Sequence, residues 1–177
     1  MLKLVEAVIE DMDKQLERIV KSMVPLDDSQ IWSRARDTMN SIGNLCLHLA
    51  GNERMNLISA IGGQTFTRER SKEFTTEGGI PREELIRLLT DTRTETKEIL
   101  ARLTEEDLDR EVAIHYGLED WNRMLRVQAE EGETYEIKEI GKLLVAVAAH
   151  YGYHTGQIVL LSKLLKDTGE HITGQYH

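Results

Sequence analysis

Three histidines have the residue type and the spacing of ligands for a divalent metal ion. His150 and His154 stand four residues apart in AHYGYHTGQI (149–158), inside the most apolar stretch of the chain. Residues four apart on a helix have Cβ atoms about 5–6 Å apart, so two imidazoles can reach one ion. His48, in NSIGNLCLHLAGN (40–52), lies on the apolar side of another predicted helix. Three imidazoles plus one further coordination position form a catalytic type of zinc site, so we predict a metal site at these residues.

Two other kinds of metal site do not fit the sequence. HYGYH lacks the glutamate that zincin proteases carry after the first histidine. The Glu-x-x-His motifs of di-iron bundles are also absent around the three histidines. Three classes of protein therefore stay open: a metal-dependent enzyme, a protein with a structural ion, and a bundle without metal that acts through its surface. A structural zinc ion usually has four protein ligands, which makes that class the weaker one.

Four polar residues near the histidines are candidates for supporting roles. Gln157 lies one turn after His154 on the same helix face and could orient a ligand, or only pack and hydrogen-bond there. Asn44, one turn before His48, could support that ring or satisfy buried backbone groups. Arg68 and Arg70 could attract an anionic substrate, although a surface role fits at least one of them. No catalytic residue is assigned.

Four amphipathic segments are predicted to be the helices that position these residues. They run from Val5 to Met23, from Thr38 to Ile61, from Pro81 to about Leu103, and from Lys138 to Lys166. Pro25 stops the first, and Gly62–Gly63 stop the second. Thr92 and Thr96 interrupt the apolar face of the third, and we expect backbone carbonyls one turn back to satisfy their hydroxyls.

The segments between these helices are predicted to be less regular. Residues 62–80 read as a long loop. Residues 111–137 fit either a short hairpin or an extra helical turn around 121–127. The architecture predicted from this pattern is all-α: a four-helix bundle in one domain, residues 1–166, followed by a polar tail at 167–177. The unequal connections permit a crossover topology.

Composition and charge exclude several functions. The chain has 177 residues, a net charge of -9 and a pI of about 5.2, which argues against a nucleic-acid-binding protein. Its single cysteine, Cys46, permits no internal disulfide and fits a reducing compartment. The longest purely apolar run, Leu143–Ala149, is far shorter than the roughly 20 residues that span a bilayer. The acidic N-terminal segment does not read as a signal peptide, so we expect a cytoplasmic protein without membrane contact.

Three stretches in order and at similar spacing resemble a known superfamily. NSIGNLCLHLAGN (40–52), RERSKEF (68–74) and HYGYHTGQIVLL (150–161) are similar to the DinB-like, or YfiT-like, four-helix metalloproteins, and to one of their uncharacterised bacterial branches. The resemblance covers most of the chain. The chain differs from the family in the acidic stretch 118–133, which is longer than we expect for a member of this superfamily.

The resemblance implies a fold, a site and an activity. It implies an up-down-down-up bundle, a homodimer, and one divalent metal held by His48, His150 and His154. Related proteins include transferases that use bacillithiol or a similar low-molecular-weight thiol as co-substrate. We therefore expect zinc or nickel, a small-molecule substrate and a thiol S-transferase that activates the thiol as its thiolate. The alternatives are a hydrolase that uses a water activated by the metal, and a metal-binding protein without turnover.

Overall fold

The computed structural model describes residues 1–130 and 132–166, most of which are helical, with one small antiparallel sheet. In chain order the elements are α1 (Lys3–Met23), α2 (Asp28–Trp32), α3 (Ile42–Glu53), a π-helix (Arg54–Ile61), α4 (Arg70–Thr75), α5 (Arg82–Leu100), a 3-10 turn (Glu106–Asp109), β1 (Glu111–His115), α6 (Leu118–Leu125), β2 (Tyr135–Glu139) and α7 (Ile140–Lys166). The polar tail predicted at 167–177 lies outside the described residues.

The core lies between the four long helices. The apolar stripe predicted for the first helix is buried, with Val5, Met12, Ile19 and Met23 at 0% exposure. Burying such a side chain stabilises the fold by about 1.5–3 kcal/mol. Helix α1 packs against α7 and α5, and α3 packs against the same two helices. This arrangement brings α3 and α7, which carry the three histidines, next to each other.

The predicted second helix is shorter at its start and changes type in its second half. It begins at Ile42, not at Thr38, because Ser41 forms a capping box in which its hydroxyl accepts from the backbone N–H of Asn44 at 3.1 Å. After Glu53 the backbone continues as a π-helix to Ile61. The predicted glycine stop is confirmed: Gly63 has a φ of 71° and donates to a carbonyl of the last turn.

Two segments predicted as connectors contain short helices. Asp28–Trp32 forms α2, which begins with a capping box at Asp27. The prediction of a continuous loop at 62–80 was wrong, since Arg70–Thr75 forms α4. Pro81 is the residue that precedes α5.

The expectation for the threonines of α5 was wrong. Thr92 and Thr96 are buried, but within the described residues neither hydroxyl has a hydrogen-bond partner on a backbone carbonyl. Thr96 instead faces the carboxyl of Glu53, which is itself fully buried.

The segment 111–137 contains both structures considered for it. Strands β1 and β2 pair in antiparallel register, with Val112 opposite Lys138, and α6 lies between them. Because Lys138 belongs to β2, α7 begins two residues later, at Ile140. Within the described part of the chain, no helix is long and apolar enough to cross a membrane.

Candidate metal centre

The three histidines converge at the contact between α3 and α7. The ring centroids of His150 and His154 are 4.5 Å apart, and each is 4.9 Å from the ring centroid of His48. One ring nitrogen from each histidine can be chosen so that all three lie within 4.8 Å of one another. His48 is buried, and the other two are half-buried. This cluster could hold a metal ion.

Two ring nitrogens of the cluster are close enough for both to reach one metal ion. Nε2 of His48 lies 3.0 Å from Nε2 of His150. Two nitrogens bound at about 2.05 Å to one tetrahedral zinc ion would be roughly 3.3 Å apart. The observed distance is close to that value.

The tautomer of His48 is fixed by a buried carboxylate on α4. Nδ1 of His48 lies 2.9 Å from Oε2 of Glu73, so the ring donates from Nδ1 and leaves the lone pair of Nε2 for a metal. A carboxylate that accepts from the outer nitrogen of a ligating histidine is the usual support of such ligands. Because Nδ1 carries the proton, the 3.1 Å approach of Arg68 Nη2 to it is not a hydrogen bond.

Arg68 holds that carboxylate in place. Its Nε donates to Oε1 of Glu73 at 2.6 Å, and its Nη2 donates to Oε2 at 2.8 Å. The same Nη2 lies 3.3 Å from the backbone oxygen of His48. Both side chains are buried, so this bidentate ion pair is shielded from solvent. Arg68, expected to bind an anionic substrate, is thus engaged in positioning His48.

Gly51 makes this close approach possible. A Cβ at residue 51 would lie 2.1 Å from Oε1 of Glu73 and 3.0 Å from Nε of Arg68. Any side chain there would displace the carboxylate, which His48 and Arg68 hold from both sides. The glycine therefore serves the contact between α3 and α4.

Asn44 anchors the segment that carries the carboxylate, and its side chain forms no hydrogen bond with His48. Its side-chain nitrogen donates to the backbone oxygens of Glu73 and Thr76 at 2.9 and 2.7 Å. Its side-chain oxygen accepts from the backbone N–H of Ser41. The described hydrogen bonds of Asn44 to the backbone therefore include three groups, at Ser41, Glu73 and Thr76.

Gln157 forms a hydrogen bond with His154. Nδ1 of His154 lies 2.6 Å from Oε1 of Gln157, so this ring also donates outward and presents Nε2. The side-chain nitrogen of Gln157 donates to the hydroxyl of Tyr153 at 3.3 Å. In His150 the outer nitrogen Nδ1 is buried and has no hydrogen-bond partner within residues 1–130 and 132–166.

The surroundings keep the three imidazoles neutral, which is the form that binds metal. Burial is the largest cause for each, and it lowers the pKa of His48 although the hydrogen bond to Glu73 opposes it. Burial and the neighbouring positive charges lower the pKa of His150 to about 3. The pKa of His154 is also lowered by burial, against the hydrogen bond to Gln157.

The remaining candidate, Arg70, lies beside the cluster. Arg70 lies at the start of α4, where Asp120 accepts from its backbone N–H at 2.9 Å, and its side chain lines a cavity beside His150. Of the other histidines, His115 is exposed and belongs to β1. His171 and His177 lie outside the described residues.

Sequence reasoning missed Glu73 and Gly51. Glu73 stands in RERSKEF, where the sequence singles out Arg68 and Arg70 but not the glutamate, and it has no fixed spacing to His48. Gly51 has no side chain, and the sequence alone does not indicate what approaches it. Only the docking of α4 on α3 brings them to the histidines.

The helical fold with an inward cluster of three histidines defines a class of candidate metal-binding proteins, and the comparisons with known proteins agree in fold. A family model described as "Protein of unknown function (DUF1572)" matches residues 2–173, so the chain belongs to that family. No curated protein matches the chain. A solved structure, described as that of a conserved protein from Enterococcus faecalis, has a TM-score of 0.67 at 14% identity and covers 95% of this chain and 100% of its own. At that identity the similarity concerns the fold alone.

Proposed function

We propose that this protein binds one divalent metal ion, zinc or nickel, through His48, His150 and His154, and is a metal-dependent thiol S-transferase. The observation that supports the metal site most directly is the 3.0 Å separation of Nε2 of His48 and Nε2 of His150. The hydrogen bonds of His48 to Glu73 and of His154 to Gln157 turn the inner nitrogens of both rings toward the same place.

The number of ligands favours catalysis over a structural ion. Among the described residues, the cluster that could hold a metal contains the three histidines alone. Structural zinc sites are closed by four protein ligands, whereas catalytic sites use three and leave a position for substrate. A metal ion in such a site stabilises the thiolate form of a bound thiol or lowers the pKa of a bound water.

The surroundings of the cluster favour a thiol over a water as the attacking group. Glu73 is the carboxylate nearest to His48, and it already accepts hydrogen bonds from His48 and from Arg68. It is therefore held as a positioning group and is poorly placed to take a proton from water, as a hydrolase would require. A thiol needs no such base, because the positive charge of the site favours its thiolate.

The packing of the long helices supports a DinB-like bundle. We propose an up-down-down-up topology formed by α1, α3, α5 and α7 in one domain. Its support is the pairing of α1 with α7 and of α3 with α5, together with the resemblance of the three sequence stretches. Membership in the DinB-like superfamily belongs to the same proposal.

We propose a cytoplasmic homodimer that acts on a small molecule and does not bind nucleic acid. Several large apolar side chains on α7 are exposed, among them Tyr153, Leu160 and Leu164 at 64%, 58% and 62%. Surfaces of this kind are typical of contacts between subunits. The net charge of -9 opposes binding to phosphate backbones.

Elemental analysis of untagged protein tests the metal site. We expect about one zinc or nickel ion per chain in the wild type and a large loss in the His48→Ala variant, with His115→Ala as the matched control because that histidine is exposed on β1. Unchanged metal content in His48→Ala would remove His48 from the site.

Turnover measurements test the reaction. Bacillithiol and simpler thiols are combined with model electrophiles, with the metal-loaded protein and after chelation. A rate that requires both thiol and metal is expected. Ester hydrolysis without thiol would favour the hydrolase, and metal binding with neither reaction would leave a binding protein without turnover.

A further inference from the structure

A cavity of about 200 Å³ opens beside His150, between α7, the π-helix and the hairpin. Its polar lining includes Asn52, Asn56, Arg70, Tyr116 and Lys138, and its apolar lining includes Met55 and Leu143. The volume lies below the roughly 300–1,000 Å³ of pockets for drug-sized ligands, so its occupant is small. A ligand in this cavity would touch His150 at one end.

The described residues that line the cavity include more cationic than acidic side chains. No aspartate or glutamate is among the described residues that line it, while three cations do so. Two of these are already neutralised: Arg68 pairs with Glu73 at 2.6 Å, and Lys138 pairs with Glu136 at 2.8 Å. The third, Arg70, has no ion pair with a carboxylate in the described part of the chain. The cavity therefore carries one unbalanced positive charge.

Arg70 is held so that its guanidinium remains near the histidines. Asp120 of α6 fixes the backbone by accepting from the N–H of Arg70 at 2.9 Å and from the hydroxyl of Ser71 at 2.7 Å. The guanidinium lies 5.7 Å from the centroid of the Phe74 ring and contacts Sδ of Met124. Arg70 lines the cavity together with Tyr116 and His150.

We propose that this cavity binds a small substrate with a single carboxylate, which Arg70 holds by charge-assisted hydrogen bonds while the reacting end of the ligand lies against His150. Apart from the proposed metal position, the lining offers one guanidinium without a carboxylate partner, which matches a single carboxylate on the ligand. The side chain of Asn52 also lines this cavity. This inference rests on the proposed function, because it names the substrate class of the same site.

The proposal gives Arg68 and Arg70 different roles. Arg68 is a positioning residue that acts on His48 through Glu73. Arg70 contacts the ligand. Substitution of Arg70 is therefore expected to weaken the binding of anions and to leave metal affinity unchanged.

A pair of small thiols tests this assignment. The protein is loaded with cobalt(II), and 3-mercaptopropionate and 2-mercaptoethanol are titrated separately while the thiolate-to-cobalt charge-transfer absorption is recorded. We expect the carboxylate-bearing thiol to bind the wild type about tenfold more tightly than the neutral one. In Arg70→Gln this preference falls below about twofold, with unchanged affinity for cobalt and 2-mercaptoethanol, and Arg70→Lys recovers part of it. Arg87→Gln, at an exposed residue of α5, is the matched control and behaves as the wild type.

Two results would overturn the proposal: equal affinity for both thiols in the wild type, or a preference that survives in Arg70→Gln. If neither thiol produces the absorption band, the proposed thiol chemistry fails, and calorimetry with propionate decides the anion site alone, with and without cobalt. Propionate binding that weakens at least about fivefold in Arg70→Gln supports the site. Absent binding, or equal binding in both proteins, rejects it.

Discussion

Oε2 of Glu73 lies 2.9 Å from Nδ1 of His48, and both side chains are buried. Partners that hold a ligating histidine in this way typically contribute a factor of about 10–100 in metal affinity. We therefore expect Glu73→Gln to lower zinc affinity by about 10–100-fold, measured by competition with a chromophoric chelator. Glu77→Gln, at a nearby exposed residue, is the control. Equal affinities in the two variants would show that the carboxylate does not act on the site.

Gly51→Ala is expected to disrupt the contact between Glu73 and His48 as well, because the new methyl group would press on the carboxylate from α3. The added methyl group would lie 2.1 Å from Oε1 of Glu73 and must displace the carboxylate from His48 or from Arg68. Zinc affinity should fall by about as much as in Glu73→Gln, by the same competition method.

Two comparisons make this prediction specific. Gly156→Ala, on α7, places a methyl group where nothing lies within 4 Å and should leave zinc affinity unchanged. In a Glu73→Gln background, Gly51→Ala should add little, because both changes act through one contact. Fully additive losses would contradict the mechanism.

Gln157→Leu removes the acceptor that orients His154. Because Nδ1 of His154 lies 2.6 Å from Oε1 of Gln157, loss of that oxygen frees the ring to rotate or change tautomer. We expect zinc affinity to fall by about tenfold, whereas Gln157→Glu retains an acceptor and most of the affinity. Equal losses in the two variants would indicate that packing, and not the hydrogen bond, is the contribution of Gln157.

The buried pair of Glu53 and Arg93 is expected to be costly to break and easy to replace. The carboxylate and the guanidinium are 2.8 Å apart at 0% and 3% side-chain exposure. Arg93→Met leaves Glu53 without its closest cation and should reduce the free energy of unfolding by about 3–5 kcal/mol. Adding Glu53→Leu should recover most of that loss, as measured by urea unfolding. A double variant as unstable as Arg93→Met would contradict this account.

Cys46 is expected to be inert in the folded protein, and this bears on every assay with thiols. Burial raises its pKa from an ordinary value of 9.0 to about 12, so at about pH 8 iodoacetamide should label it only after denaturation, as read by mass spectrometry.

The same pKa shift predicts a pH dependence of stability. Because the thiol ionises first in the unfolded chain, its contribution to stability is complete below pH 9 and is lost as pH rises from 9 through about 12. The wild type should lose more stability over that range than Cys46→Ala. Parallel curves would refute the shift.

The sequence predicted those features that depend on regular spacing. His150 and His154 could be paired because a helix repeats every 3.6 residues, and His48 could be placed inward by its apolar neighbours. Glu73 could not be found in this way, because a short helix far along the chain brings it to His48. The choice between the two roles of Asn44 also required the structure, since its partners are backbone oxygens of Glu73 and Thr76.

The sequence also did not predict where the backbone changes from one type of secondary structure to another. Residues 54–61, RMNLISAI, have the composition of an ordinary α-helix. No residue among them predicts the π-helix that forms at Arg54–Ile61. The start of α7 could not be placed either, because the pairing of Val112 with Lys138 depends on a strand more than twenty residues away.

The π-helix also makes this part of the molecule sensitive to chain length. Its wider turn holds one more residue than an α-helical turn, and Met55 and Asn56, at its start, line the cavity beside His150. Deleting a single residue between 57 and 61 would allow the wide turn to relax to α-helical geometry, which would swing these two side chains around the axis while α1 and α7 remained in place. A homologue one residue shorter here would therefore be expected to keep the histidine cluster and to have a differently shaped cavity.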